Sequence, residues 1–413
     1  MRTKQSFLLV RNFILVLLLS SVAEAALPKL GRISILDRNL STSVISYEGD
    51  LLTWGGRGEG WHANGVVHLY DPAQKEKSDF FVMSNFVGEV ELLGEELVYA
   101  GLVAEGYREV SSKLALLPSK DGVFDVEGEE LLSEGIEGEI ATGRGDEERW
   151  IAWTKVERGR SEIFIRSVNG RRILLPTQGV KERHSPRMDE RWLVWIERGE
   201  KEEDGDPEVI LFDLAARNPL RITDDDLIQS APDVSRWGIV WQQREEDHWR
   251  IYGKAFGQDA IVPLTQVRTA LEEEHLSPRL WDHYLVWERL IPSFGTEIVI
   301  QDLETGLSNI AWFKLFELDN RWRMGLTSSP VIGEKGIAFL DYRLRAIRPP
   351  DFRPKKSFAS LSVLFGDPDW SCPPYPYRPD PYPWPNPYDP RCRPGSSIET
   401  TLRWLPFEEQ RSK

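Results

Sequence analysis

Residues 184–195 read HSPRMDERWLVW, and the phrase returns as SAPDVSRWGIVW at 230–241, LSPRLWDHYLVW at 276–287 and SSPVIGEKGIAF at 328–339. In every copy a proline stands nine residues before a closing aromatic: Pro186 and Trp195, Pro232 and Trp241, Pro278 and Trp287, Pro330 and Phe339. Self-similarity at a fixed period marks a repeat architecture. Each copy reads as two strands joined by a tight turn. The second, Trp192–Trp195 or Gly238–Trp241, is a short apolar run bounded by polar residues, which suits a strand covered on both faces better than a helix.

Working outward, a polar hairpin leads to a third, alternating strand such as Glu208–Asp213 or Glu297–Asp302. A fourth, more polar run follows at Leu220–Thr223 and at Ala260–Leu264. Four strands in about 45 residues is the signature of a β-propeller blade. Weaker copies lie upstream. The anchors Trp54, Tyr99, Trp153, Trp195, Trp241, Trp287 and Phe339 are spaced by 45, 54, 42, 46, 46 and 52 residues. The expected fold is therefore all-β, a seven-bladed propeller of four-stranded blades spanning 26–367. Its blades are placed near 41–84, 86–126, 136–176, 182–223, 228–265, 274–313 and 326–367, the last with Ser360–Asp367 as third strand. Residues 31–36, GRISIL, are expected to close the ring by completing the last blade, with Thr401–Leu405 competing for that slot. Such closure also removes sheet edges.

Residues 1–25 read as a signal peptide. Arg2, Lys4 and Arg11 flank the apolar Phe13–Val22, and Ala23-Glu24-Ala25 is a small-x-small cleavage site. The apolar run is shorter than the ~18–20 residues a membrane span needs, so the mature protein is expected to be periplasmic or secreted. The chain carries a net charge of −15, and loss of three basic residues and one acidic residue with the leader makes it −17. An acidic surface disfavours nucleic acid and anionic membrane as partners.

Cys372 and Cys392 are the only cysteines, and an exported pair reads as a disulfide. Between them lie nine prolines, four tyrosines and Trp384. Proline at this density precludes helix and central strand. Residues 368–413 are thus expected to form a disulfide-tied Pro/Tyr-rich flap and a terminal strand.

The Pro-x-apolar, turn, apolar-Val/Ala-Trp/Phe pattern resembles the TolB-like propeller repeat, closely over 181–343 and loosely over 41–176. That family continues with Ser-Pro-Asp-Gly in the turn, which here is shorter and different (Met188–Trp192, Val234–Trp237). The α/β domain of TolB proteins has no counterpart, so the resemblance implies the fold and not TolB's role.

Known catalytic motifs are missing. No GxSxG follows the repeats, and no phosphate loop, dinucleotide fingerprint or HExxH occurs. Position within the ring then points to ligand contacts. Arg183, Gln229 and His275 precede the repeat prolines by three residues. With His184 and Glu274 they could converge on a ligand or a divalent metal at the channel mouth. Oligogalacturonate-type lyases use histidines, a glutamine and a metal at a propeller mouth, a fold-level likeness only. His184, His275, Asp204 and Asp206 are the weak metal candidates, Asp204 and Asp206 lying in an acidic hairpin that lacks a full set of calcium ligands. Trp384 joins the ligand candidates as a ring for sugar stacking. No cofactor is otherwise expected. The leading expectation is an exported, non-catalytic propeller binding a protein or small ligand at the channel mouth and flap. The alternative is a carbohydrate-active lyase or hydrolase using the His184/His275 rim on an oligosaccharide.

Overall fold

A computed structural model describes residues 27–38, 40, 44–48, 51–57, 64–105, 109–120, 123–144, 148–157, 159–176, 179–200, 206–266, 272–291, 295–315, 323–346 and 396–408. The expected signal peptide, Ser360–Asp367, Asp204, Trp384 and both cysteines lie outside these residues.

All regular structure among the described residues is β. After β1 (Ser34–Arg38) comes a sheet of β2 (Ile45–Glu48), β3 (Leu51–Arg57), β4 (Gly65–Asp71) and β5 (Glu76–Val82). The second contains β6 (Phe86–Leu93), β7 (Glu96–Glu105) and β8 (Glu109–Leu117). A hairpin of β9 (Ser119–Lys120) and β10 (Val123–Phe124) precedes its fourth strand, β11 (Glu130–Glu134). The third has β12 (Ile136–Arg144), β13 (Arg149–Glu157), β14 (Arg160–Ser167) and β15 (Arg172–Ile173). One parallel bridge, Ser161 to Glu182, joins it to the fourth: β16 (Val180–Asp189), β17 (Trp192–Gly199), β18 (Glu208–Asp213) and β19 (Asn218–Arg221). The fifth is β20 (Ile228–Ser235), β21 (Gly238–Glu245), β22 (His248–Ala255) and β23 (Val262–Pro263). The sixth is β24 (Glu274–Trp281), β25 (Tyr284–Ile291), β26 (Gly295–Asp302) and β27 (Ser308–Leu315). The last combines β28 (Arg323–Gly333), β29 (Gly336–Ala346) and β30 (Ser396–Pro406) with β1 on its outer edge.

That last sheet resolves the competition for the closing slot. β30 takes third place, where Ser360–Asp367 was expected, and β1 pairs beside it (Ser34 opposite Trp404). Both segments are used, because the Pro-rich insertion falls between second and third strands rather than after the third.

The second strands are apolar throughout because both faces are covered. Leu193 and Trp195 pack toward the third sheet with Trp150, Ile163 and Ile165. Val194 and Ile196 pack toward the fifth with Ile239 and Trp241. Each such large side chain is worth about 1.5–3 kcal/mol of burial. Contact between sheets is close: a Cβ on Gly55 would collide with the Val87 carbonyl oxygen of the next sheet. First strands touch in succession, β2 to β6, then β12, β16, β20, β24 and β28, and β28 touches β2 again. The first strands of the described sheets therefore touch one another in succession, the last returning to the first.

The repeat proline has a structural reason. Ser185, Ala231, Ser277 and Ser329, each just before it, have φ of 56°, 48°, 53° and 51°, a region that non-glycine residues seldom visit. The ladder slips at each point. This bulge swings an N–H out of its own ladder toward the preceding sheet. Ser185 N–H reaches Glu139 Oε2 at 2.5 Å, and Ser277 N–H reaches Gln242 Oε1 at 2.9 Å. The bulges thereby clasp sheet to sheet.

Candidate functional site

Arg183, Gln229 and His275 occupy equivalent points of β16, β20 and β24, opposite Glu197, Gln243 and Arg289. All three are buried, and the chemistry around them is that of capping the anchor tryptophans. Trp195 Nε1 donates to Glu197 Oε2 at 3.4 Å, and Arg183 Nε donates to the same oxygen at 2.7 Å. Arg183 also reaches Glu162 at 2.9 Å and the Pro176 carbonyl, which binds β16 to the third sheet. Trp241 Nε1 donates to Gln243 Oε1 at 3.1 Å, and Gln229 Nε2 donates to Asp225 at 2.7 Å. Trp287 Nε1 donates to His275 Nδ1 at 3.0 Å. Accepting at Nδ1 places the neutral ring's proton on Nε2. Burial, aided by Arg289 and Arg250, pushes the His275 pKa down to about 4, so the ring is neutral at pH 7.

His184 and Glu274 are half-buried. His184 Nδ1 lies 3.0 Å from Ser185 Oγ, while Glu274 Oε2 accepts the Trp249 N–H at 2.6 Å. The two histidines thus have separate surroundings, one at the Ser185 bulge and one beneath Trp287. Asp206 is half-buried after the acidic hairpin. Among the described residues no group of three or more His, Cys, Asp or Glu is placed to hold a metal ion.

The structure gathers a different set at the centre. One residue after the first three repeat prolines stand Arg187, Asp233 and Arg279, opposite Val194, Val240 and Val286, whereas Val331 follows the fourth, Pro330. Glu91 of β6, opposite Val98, matches them. Though they come from four sheets, these groups lie within one another's fields. The Glu91 carboxyl feels Arg187, Arg279 and Asp233, and Asp233 feels both arginines. The successive contacts of the first strands relate these distant residues.

The carboxylates here mostly clasp neighbouring sheets. Glu89 Oε2 accepts the Ile140 N–H at 2.9 Å, and Asp233 Oδ2 accepts the Leu280 N–H at 2.7 Å. Glu139 accepts from Ser185 Oγ at 3.1 Å and Thr154 Oγ1 at 3.2 Å, besides the Ser185 N–H. Glu91 Oε2 accepts from Ser46 Oγ at 2.7 Å. Arg187 Nη1 lies 3.7 Å from Glu89 Oε1 and donates to the Ile140 carbonyl at 3.4 Å. Arg279 Nη1 donates to the Pro278 carbonyl at 3.0 Å. Burial pushes the Glu89 pKa up to about 8; Arg187 opposes the shift and Glu91 and Glu139 add to it. Burial also raises Glu91 and Asp233, again against the pull of the arginines. The arrangement suits recognition by charge. Sequence reading passed over this set, although the position after the repeat proline was the signal that could have found it.

No protein-family model matches the chain, and no curated protein matches it. Solved structures do. A prolyl endopeptidase structure is 10% identical over 84% of this chain with a TM-score of 0.51, and the chain spans 54% of it, less than two thirds. The β-propeller domain of the Trilobed protease from Pyrococcus furiosus is 9% identical over 75% of the chain, with a TM-score of 0.47 and 90% of that domain covered. TolB from Acinetobacter baumannii is 14% identical over 72%, with a TM-score of 0.37 and 77% of TolB covered. The likeness concerns fold alone, and the described residues of this chain are all-β.

Proposed function

We propose that the chain is an exported, non-catalytic, seven-bladed β-propeller, closed by β1, that binds a small polar ligand where its first strands meet. The leader-like segment at 1–25 supports export to the periplasm or beyond, and Cys372 and Cys392 are taken as a disulfide formed there. One placement supports the binding reading: Glu91, Arg187, Asp233 and Arg279 hold matching positions on the first strands of four sheets, strands that are linked by successive first-strand contacts. His184 and Glu274, half-buried on the same first strands, are the rim residues such a ligand meets first. Arg183, Gln229 and His275 support the walls behind them.

The test is a ligand screen on the purified protein by thermal shift and NMR, repeated with Glu91→Gln. A ligand whose binding weakens at least tenfold in Glu91→Gln, at unchanged melting temperature, supports the reading. Turnover of an oligosaccharide that disappears in His275→Ala would replace it with the lyase or hydrolase alternative.

A further inference from the structure

We propose that the turns joining first to second strands in the fifth and sixth sheets form a binding site for a neutral saccharide, held by Trp237, His283 and Glu304. The site lies at the far ends of β20 and β24 from Gln229 and His275, so it is separate from the central reading and stands without it.

A cavity of about 400 Å³ opens there, lined by Arg236, Trp237, Asp282, His283 and Glu304. Its volume is toward the lower end of the roughly 300–1,000 Å³ in which proteins hold small molecules. Arg236 and Trp237 make the tight turn between β20 and β21, and Asp282 and His283 make the equivalent turn between β24 and β25. These are the turns that lack Ser-Pro-Asp-Gly in this chain. Glu304 enters from the turn after β26.

The walls are anchored from behind. Ser235 Oγ donates to the Asp282 carbonyl at 2.6 Å, and Arg236 donates through Nε and Nη2 to the two oxygens of the Asp282 carboxylate, which ties sheet to sheet. Trp237 is half-buried and packs against the core of Leu280, Leu285 and Trp287. The Phe256 N–H donates to the Trp237 carbonyl at 3.0 Å, and the Leu303 N–H to the His283 carbonyl at 2.9 Å.

The cavity is left with a mixed set of polar groups. Among the described residues no hydrogen bond engages the Trp237 indole N–H, His283 Nε2 or the Glu304 carboxylate. Asp282 Oδ2 lies 3.0 Å from His283 Nδ1, so the neutral ring keeps its proton there and Nε2 accepts. One donor and two acceptors beside an aromatic ring suit sugar hydroxyls, each of which both donates and accepts, while the apolar face of the sugar covers the indole. Charged ligands fit less well. An anion would meet Glu304, and the Arg236 fork that could receive it is already filled by Asp282. A cation drawn to Glu304 would meet the Arg236 guanidinium, whose side chain is 68% exposed at the same cavity.

The experiment follows the indole N–H signals of the isotope-labelled full chain by NMR during titration with maltose, cellobiose and N,N′-diacetylchitobiose. The Trp237 signal is the one missing from Trp237→Phe; if that variant does not fold, backbone assignment identifies it. At least one disaccharide should shift this signal saturably. Glu304→Ala should weaken that binding at least tenfold at unchanged melting temperature, because the side chain it removes is exposed. Spermidine and succinate, at the same ionic strength, should bind there more weakly than that disaccharide. No response to any of the three sugars would overturn the proposal. A response undiminished in Glu304→Ala would put the contact elsewhere and end it. Tighter binding of spermidine or succinate than of every sugar would replace the neutral ligand with a charged one and end it too. None of these results bears on Glu91 or on the central-ligand reading.

Discussion

Trp54, the anchor of the first sheet, donates its indole N–H to Asp37 of β1, in the last sheet, at 3.3 Å. The same carboxylate accepts from Lys77 Nζ at 2.8 Å and from the Arg38 N–H at 2.7 Å. The strand that completes the last sheet is therefore fastened to the first by one acidic residue.

Removing that acid should loosen the closure. Burial alone would raise the Asp37 pKa, but hydrogen bonds from Lys77 and the Arg38 N–H, with the charges of Lys77 and His68, outweigh it and hold it below the ordinary value. A depressed carboxyl stabilises the fold above its unfolded pKa of about 3.9 and loses that contribution as pH falls through the folded value. Asp37→Ala is expected to cost about 1–2 kcal/mol at pH 7, a melting-temperature drop of a few degrees. Calorimetry from pH 7 to pH 3 should show the gap to wild type narrowing only below about pH 4. An unchanged melting temperature at pH 7 would show that Asp37 is not the fastener.

Arg183 should matter to folding more than to any surface event. It is 3% exposed and holds Glu162 and Glu197 at once. Taking one partner from a buried ion pair leaves the others uncompensated, at about 3–5 kcal/mol. Urea unfolding of Arg183→Ala should show a loss of that size, whereas loss below about 1 kcal/mol would place Arg183 among exposed pairs.

How much of this was legible follows from the same residues. Strand identity was plain at Trp192–Trp195 and Tyr284–Trp287, because an apolar run of that length buries both faces only within stacked sheets. The order of the last sheet was not, because spacing cannot tell whether an insertion precedes or follows a third strand; β30 lies beyond the Pro-rich segment. At the rim, sequence showed polar residues at equivalent places but not what they served. A buried indole N–H needs an acceptor, and the polar residue two after two of the anchors, Glu197 after Trp195 and Gln243 after Trp241, was the visible sign of it. These charged residues come from strands far apart in sequence, so only the contacts between successive first strands relate them.

His275 makes acid stability measurable at one site. Its pKa falls to about 4 in the folded chain against an unfolded value of about 6.5. Between those values the unfolded chain binds the extra proton, so stability declines as pH drops from about 6.5 toward 4. The full effect is on the order of 3 kcal/mol. His275→Gln, whose side-chain oxygen can still accept from Trp287, should flatten that part of the profile. Denaturant melts at pH 7, 5.5 and 4.5 check it; parallel profiles for the two proteins would mean the ring is not buried and neutral.

Glu89 should act with the opposite sign. Burial raises its pKa to about 8, while an unfolded glutamate titrates near about 4.3. Across that interval the folded chain holds a proton that the unfolded chain has lost, so this residue weakens the fold as pH rises. Glu89→Gln removes the titration, and its amide oxygen can still accept the Ile140 N–H that the carboxylate holds at 2.9 Å. The variant should therefore lie close to wild type near pH 5 and exceed it at pH 9 by roughly 4 kcal/mol, the linkage energy of a shift that already includes the pull of Arg187. Chemical melts at the two pH values decide it. A variant less stable than wild type at pH 9 would mean that Glu89 is charged and that its pairing with Arg187 stabilises the ring.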